Sequence, residues 1–416
     1  MKRRAFLQHS AQASLALGAW PVWGQSSVSN NPAPDSRLIF IMLRGGLDGL
    51  FAVPAVGDPH FARSRGPLAQ YDNAPLPLDG LFALHPALTH LHGLYQQKQL
   101  LVAHAVGLPY QQRSHFDAQN VLDTGAARPF ELKDGWLNRA LLLQGSARRA
   151  STAAPTQAVA MSAAIPLVLQ GGASVSNWSG ARLGDVQEDT LDRVARLYGD
   201  DPALASALSR ARSAMDMGED TPLLMVSANE RSTNARRPRV TAGAATLTTA
   251  ASQAATFLAA AQGPRLAVLE AGGWDSHINQ ALPQGQLMRN LAALDEAIAL
   301  LKSGLGAVWQ KTVVVVATEF GRTVHANGAN GTDHGVGMAA LLAGGAVRGG
   351  RVLSDWPGLA QGQLLEGRDL RPTADVRSLF KGVLAEHWRI SSAALDGQVF
   401  VGSDGVKAWG GLLHEA

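Results

Sequence analysis

VVVVATEFGRTVHANGANGTDHG, Val313 to Gly335, is the stretch from which the fold can be read. Four β-branched residues in a row, ended by a polar turn, specify a strand buried on both faces of a parallel sheet. Glu319 and Arg322 follow where that strand would end. In open α/β sheets, ligands bind outside the carboxyl ends of the strands. The Gly/Asn-rich run NGANG then leads to Asp333-His334-Gly335.

Further apolar runs repeat the design. Leu38 to Leu43 runs into Gly45-Gly46-Leu47-Asp48-Gly49, and Leu266 to Glu270 runs into Gly272-Gly273-Trp274-Asp275-Ser276-His277. Glycines let each chain turn tightly and approach a ligand. Asp48 either faces a bound ion or supports its turn. Asp275 and His277, two apart, either reach one ion or are a turn Asp and a surface His. Gln286 to Leu301 carries leucines and Ile298 on one helical face. It reads as the crossover to the Val313 strand, completing a βαβ unit. Leu100 to Val106, Ala158 to Leu169 and Met338 to Gly345 read as the remaining strands.

Ser114 precedes a helix beginning at His115. Its bland reading is an N-cap. A helix start also stabilises an anion, Arg113 beside it adds a fixed positive charge, and a serine there can act as a nucleophile once activated. His115 is adjacent, but neighbouring side chains diverge on a helix, so a metal ion is the expected activator. Other helices are expected over Leu88–Tyr95, Gly135–Leu143, 185–217, Ala242–Ala261 and Asp375–Trp388, the last capped by Thr373. His85, His90, His92 and His387 read as caps or surface groups outside the site.

The 416 residues include 46% apolar and 17% charged residues, a globular balance, with a net charge of only +3. The basic residues are scattered, so no nucleic-acid partner is expected. Cysteine is absent, which excludes disulfides, thiolate metal sites and a thiol nucleophile. The Gly-Gly turns do not form GxGxxG, so an organic redox cofactor is not expected. Arg3-Arg4-Ala5-Phe6-Leu7 looks like a twin-arginine export motif. Residues 1–30 are therefore read as signal peptide and linker, the twin-arginine translocase as the partner in export, and the periplasm as the destination. Residues 31–416 are read as one domain with a helical insertion around 185–262. No stretch reads as a spanning helix, so no stable membrane insertion is expected.

Together, Arg-Gly-Gly-Leu-Asp48-Gly, Ser114-His-Phe, Gly-Gly-Trp-Asp275-Ser-His277, Thr-Glu319-Phe-Gly-Arg322-Thr and Gly-Thr-Asp333-His334-Gly resemble the exported proteins grouped as domain of unknown function 1501. The resemblance runs from about Arg37 to Trp388. It implies a mainly parallel α/β sheet flanked by helices, like that of the alkaline phosphatase/sulfatase superfamily. It further implies that Asp48, Asp275, His277, Glu319 and His334 hold one or two divalent ions, zinc or manganese, with Ser114 as nucleophile. Arg113 and Arg322 are added as anion binders. Two departures stand out: the Asp/His pair is closer together than in the superfamily, and Phe320-Gly321 follows Glu319 where phosphatases have a histidine. Asp333 would have to complete the second ion, or pair with His334 on one. The expected activity is metal-assisted hydrolysis of phosphate or sulfate esters, small or polysaccharide-borne. A non-catalytic binding protein on the same scaffold is the alternative.

Overall fold

In a strand with both faces apolar, alternate side chains must find two separate cores. The computed structural model describes residues 36–146, 157–179 and 244–415. Its strands are β1 (Arg37–Leu43), β2 (Leu76–Pro77), β3 (Ala83–Leu84), β4 (Leu100–Gly107), β5 (Ala158–Ala160), β6 (Ser176–Asn177), β7 (Leu266–Ala271), β8 (Thr312–Thr318), β9 (Met338–Ala343), β10 (Arg351–Leu353) and β11 (Ala374–Asp375). β2 and β3 form a separate hairpin. The others form one sheet in the order β10-β4-β9-β8-β1-β7-β5-β6, with β11 also on β4. Only β9 runs antiparallel to its neighbours; every other pairing in this sheet is parallel.

β1 and β8 are buried at every position. Ile39, Ile41, Val314 and Val316 point into one core; Phe40, Met42, Val313 and Val315 point into the other. Fully burying such a side chain contributes about 1.5–3 kcal/mol. The first core is covered by helices Thr89–Gln96, Ala244–Ala259 and Gln286–Leu305. The second is covered by His115–Thr124, Trp136–Ser146 and Arg377–His387. The result is a helix–sheet–helix sandwich, the expected class.

β7, helix Gln286–Leu305 and β8 form the anticipated crossover, which passes over β1. The expected run Ala158–Leu169 is a three-residue strand followed by a 3-10 turn at Leu167–Leu169. Thr373 does not cap the C-terminal helix. Its hydroxyl donates to Ala105 O at 3.2 Å, while Asp375 Oδ1 accepts from Arg377 N at 2.9 Å. Of the expected insertion, the helix Ala244–Ala259 is present. The helix expected over 185–217 and the export segment lie outside the described residues. Among those described, no helix is long and apolar enough to cross a membrane.

Candidate metal centre

β8, β1 and β7 lie side by side with their ends in register, Leu43 opposite both Thr318 and Ala271. The loops starting at Arg44, Gly272 and Glu319 therefore leave one edge of the sheet together. They press closely: at Gly45, with φ +123°, a Cβ would stand 2.5 Å from Asp275 N. At Gly335 a Cβ would stand 2.4 Å from Arg322 C. Both positions need glycine.

This packing brings three imidazoles and a carboxylate together. His115 Nε2 lies 3.0 Å from His334 Nε2, and His277 Nε2 lies 3.1 Å from the same atom. Asp275 Oδ1 is 2.9 Å from His277 Nε2 and 3.2 Å from His334 Nε2. Asp275 Oδ2 is 3.5 Å from His115 Nε2. Each ring is held from behind through Nδ1: His115 by Glu319 Oε1 at 2.8 Å, His277 by Asp333 Oδ1 at 3.2 Å, and His334 by the Arg113 carbonyl at 3.0 Å. Those three oxygens can only accept, so each Nδ1 donates. The Nε2 lone pairs of His115 and His277 are then both turned toward that of His334. Lone pairs at such distances repel unless a cation stands between them. Atoms bound about 2.0–2.1 Å from one zinc ion are about 3.3 Å apart. The ligand atoms of His115, Asp275 and His334 all lie within 4.8 Å of one another, and His277 stands beside His334. The donor set, imidazole with carboxylate, suits zinc or manganese. Phe320 lies beneath, its ring 4.8 Å from that of His115 and 5.0 Å from that of His334.

The ion-free cluster accommodates the crowding with a proton. Burial opposes charging His115, but its hydrogen bonds to Asp275 and Glu319 outweigh this and raise its pKa from 6.5 to about 9. Burial likewise opposes the charge on Asp275. Hydrogen bonds from His115, His334 and Arg322 overcome it and hold Asp275 well below the usual carboxylate range.

The other expected site residues surround this centre without facing it. Asp48 is buried; its Oδ2 takes Arg65 Nη2 at 2.5 Å and Gln280 Nε2 at 2.6 Å, and its Oδ1 takes Phe51 N at 3.1 Å. It supports the turn, the other reading of that residue. Glu319, fully buried, spends Oε1 on Gly45 N, His115 and Gln119, and Oε2 on Thr318. Arg322 is buried with Nη1 on Asp275 Oδ1 at 2.6 Å and Nε on Thr332 at 3.1 Å. Arg113 gives its guanidinium to Asp369 and Glu366. Both arginines thus bind carboxylates of the protein rather than standing open to an anion. Ser114 is the N-cap by backbone, yet its side chain makes no capping bond.

The residue missed is His115. Its divergence from Ser114 was read as removing it, but Cα–Cβ bonds in a helix tilt toward the N-terminus. The first helical residue therefore projects beyond the helix start, where the loops converge. Gln280 was also unforeseen: it links Asp48 to Thr332, and so to Arg322 and Asp275. Arg368 donates to the His334 carbonyl at 2.9 Å and pairs loosely with Asp369 Oδ1 at 3.7 Å, its side chain staying 40% exposed.

Fold and site together define an α/β protein with a His/Asp cluster at the carboxyl ends of three parallel strands. The chain belongs to the DUF1501 family, described as a protein of unknown function, whose model matches residues 97–400. β1 and Asp48 precede the matched span. No curated protein sequence matches the chain. Among solved structures, it is similar to a sulfatase from Pseudoalteromonas sp., with TM-score 0.34 and 13% identity over 76% of this chain and 64% of that one. It is also similar to the C-terminal periplasmic domain of EcEptC from Escherichia coli in complex with Zn, with TM-score 0.33 and 9% identity over 76% and 74%. A protein in the alkaline phosphatase superfamily from Vibrio parahaemolyticus gives TM-score 0.34 and 13% identity over 83% and 69%. None of these likenesses assigns an activity to this chain.

Proposed function

We propose that this chain is an exported, metal-dependent hydrolase of phosphate or sulfate esters, either small anionic esters or esters borne on a polysaccharide. The supporting observation is the convergence of the His115 and His334 Nε2 atoms and the Asp275 carboxylate, with His277 beside them and each ring braced from behind by an acceptor. His115, His334 and Asp275 would hold the ion, with His277 next to them. A divalent ion there supplies positive charge for the ester oxygens and lowers the pKa of a bound nucleophile. Glu319, Asp333 and the Arg113 carbonyl orient the imidazoles. Carboxylates and carbonyls in that position sharpen a metal site. Arg322 holds Asp275 in place. Arg368, exposed beside His334, is the guanidinium assigned to the ester's anionic oxygens. Ser114, at the start of the helix that carries His115, would act as nucleophile. With Asp48 and Glu319 committed elsewhere, the arrangement favours one ion over two. The Arg3-Arg4 leader would carry the folded chain through the twin-arginine translocase to the periplasm.

The test is metal analysis of the purified full chain together with turnover of nitrophenyl phosphate and nitrophenyl sulfate. About one equivalent of zinc or manganese and turnover of one ester are expected, both lost in His334→Ala. Native protein that takes up neither metal would overturn the reading. The second reading is a non-catalytic binding protein. It is favoured by the single set of ligands, and it predicts metal uptake without turnover, unchanged by Ser114→Ala.

A further inference from the structure

A cavity of about 160 Å³ opens beside the loop that carries Asp275 and His277, and no part of the proposed ester chemistry uses it. Phe51, Tyr71 and His85 wall it with aromatic rings whose centroids lie 4.9–5.5 Å apart. Met288, Ala281 and the exposed Asp72 also line it. Ala281 follows Gln280, the residue that joins Asp48 to Thr332.

Two polar groups of this wall lack protein partners. His85 is 2% exposed. Its Nδ1 accepts from Ala87 N at 3.0 Å, so its Nε2 carries the proton. Among the described residues that N–H has no acceptor. Burial lowers His85 to about 4, which keeps it a neutral donor. The Tyr71 hydroxyl is buried and unpartnered as well. The His85 N–H is therefore free to donate to a ligand group or water in the cavity, whereas the Tyr71 hydroxyl is shut off from it and Tyr71 offers only its ring.

We infer that this cavity is a subsite for one neutral pyranose ring. The volume is below that of drug-sized sites and suits a single ring. Aromatic faces carry negative charge density and attract the polarised C–H groups of a sugar's face. A fixed N–H and an exposed carboxylate in the lining match hydroxyl groups, which both accept and donate. No cationic side chain lines the cavity, so a charged phosphate or sulfate belongs at the metal centre instead.

The test is a titration of the full wild-type chain with methyl pyranosides of glucose, galactose, mannose and xylose, followed by NMR or calorimetry, with phenol and inorganic phosphate as comparison probes. Saturable binding of at least one pyranoside is expected, weakened about tenfold or more in Tyr71→Ala, a loss of about 1.4 kcal/mol. Met288→Trp fills the cavity while leaving His85 and Tyr71 in place, and should abolish binding with metal content unchanged. No saturable pyranoside binding, or binding that survives Met288→Trp, would overturn the inference. So would phenol binding in place of every sugar. Binding is read without turnover, so failure here leaves the esterase proposal standing, and failure of that proposal leaves this one standing.

Discussion

Each of the three clustered imidazoles gives its Nδ1 proton to an oxygen behind it, and the consequence is a competition at Nε2 between a proton and a metal. His115 shows the sign. With its pKa raised from 6.5 to about 9, the metal-free protein gains stability from the charged ring below about pH 6.5 and loses it as pH rises through about 9. Metal binding displaces that proton. Zinc affinity should therefore rise about tenfold per pH unit up to about pH 9 and then level off. The measurement is a competition titration across pH 6 to 10; a flat profile would exclude the displaced proton. Glu319→Gln removes the carboxylate behind His115 and should weaken metal binding about 10–100-fold. If Glu319 were itself a ligand at the centre, the loss would be larger and the ratio of metal to protein would fall.

At the scale of elements, the site is held by loops wedged against one another at the sheet edge. The Arg65–Asp48 pair is the internal strut: the two side chains are 0% and 2% exposed. Arg65 also donates to the carbonyls of Thr323 and Val324, tying the short helix Phe61–Arg65 to the loop after β8. Asp48→Asn leaves a buried guanidinium without its counter-charge. It should cost about 3–5 kcal/mol in denaturant unfolding while metal content stays unchanged. A variant of native stability that loses its metal would instead return Asp48 to the ligands. Arg113, with φ +61°, bends the chain so that its carbonyl reaches His334 Nδ1 just before the helix starts. A left-handed non-glycine residue costs about 1–2 kcal/mol, here offset by two carboxylates on its guanidinium.

For the whole molecule, an ion that ties His115 to Asp275 and His334 joins the two layers on either side of the sheet. The helix of His115 packs in one core; Trp274, at the start of the Asp275–His277 loop, packs in the other. Saturating metal should raise the melting temperature by several degrees over chelated protein, since ligand at about 1,000 times its Kd adds about 4 kcal/mol. A calorimetric scan with and without chelator checks this. The architecture was legible from residues alone, because a strand buried on both faces must be apolar throughout, as Val313–Val316 and Leu38–Leu43 are. The meeting of Asp275, His277 and His334 followed from that, since parallel strands that share a sheet deliver their carboxyl ends to one edge. Which side chains face inward did not follow. Asp48 and Glu319 have the right chemistry and the right strand ends, but partners distant in sequence, Arg65, Gln280 and His115, claim their oxygens. Residue type and chain position determined where polar groups gather. Only the packed structure decided which lone pairs remain free, because hydrogen bonds are shared out among neighbours that the linear order does not reveal.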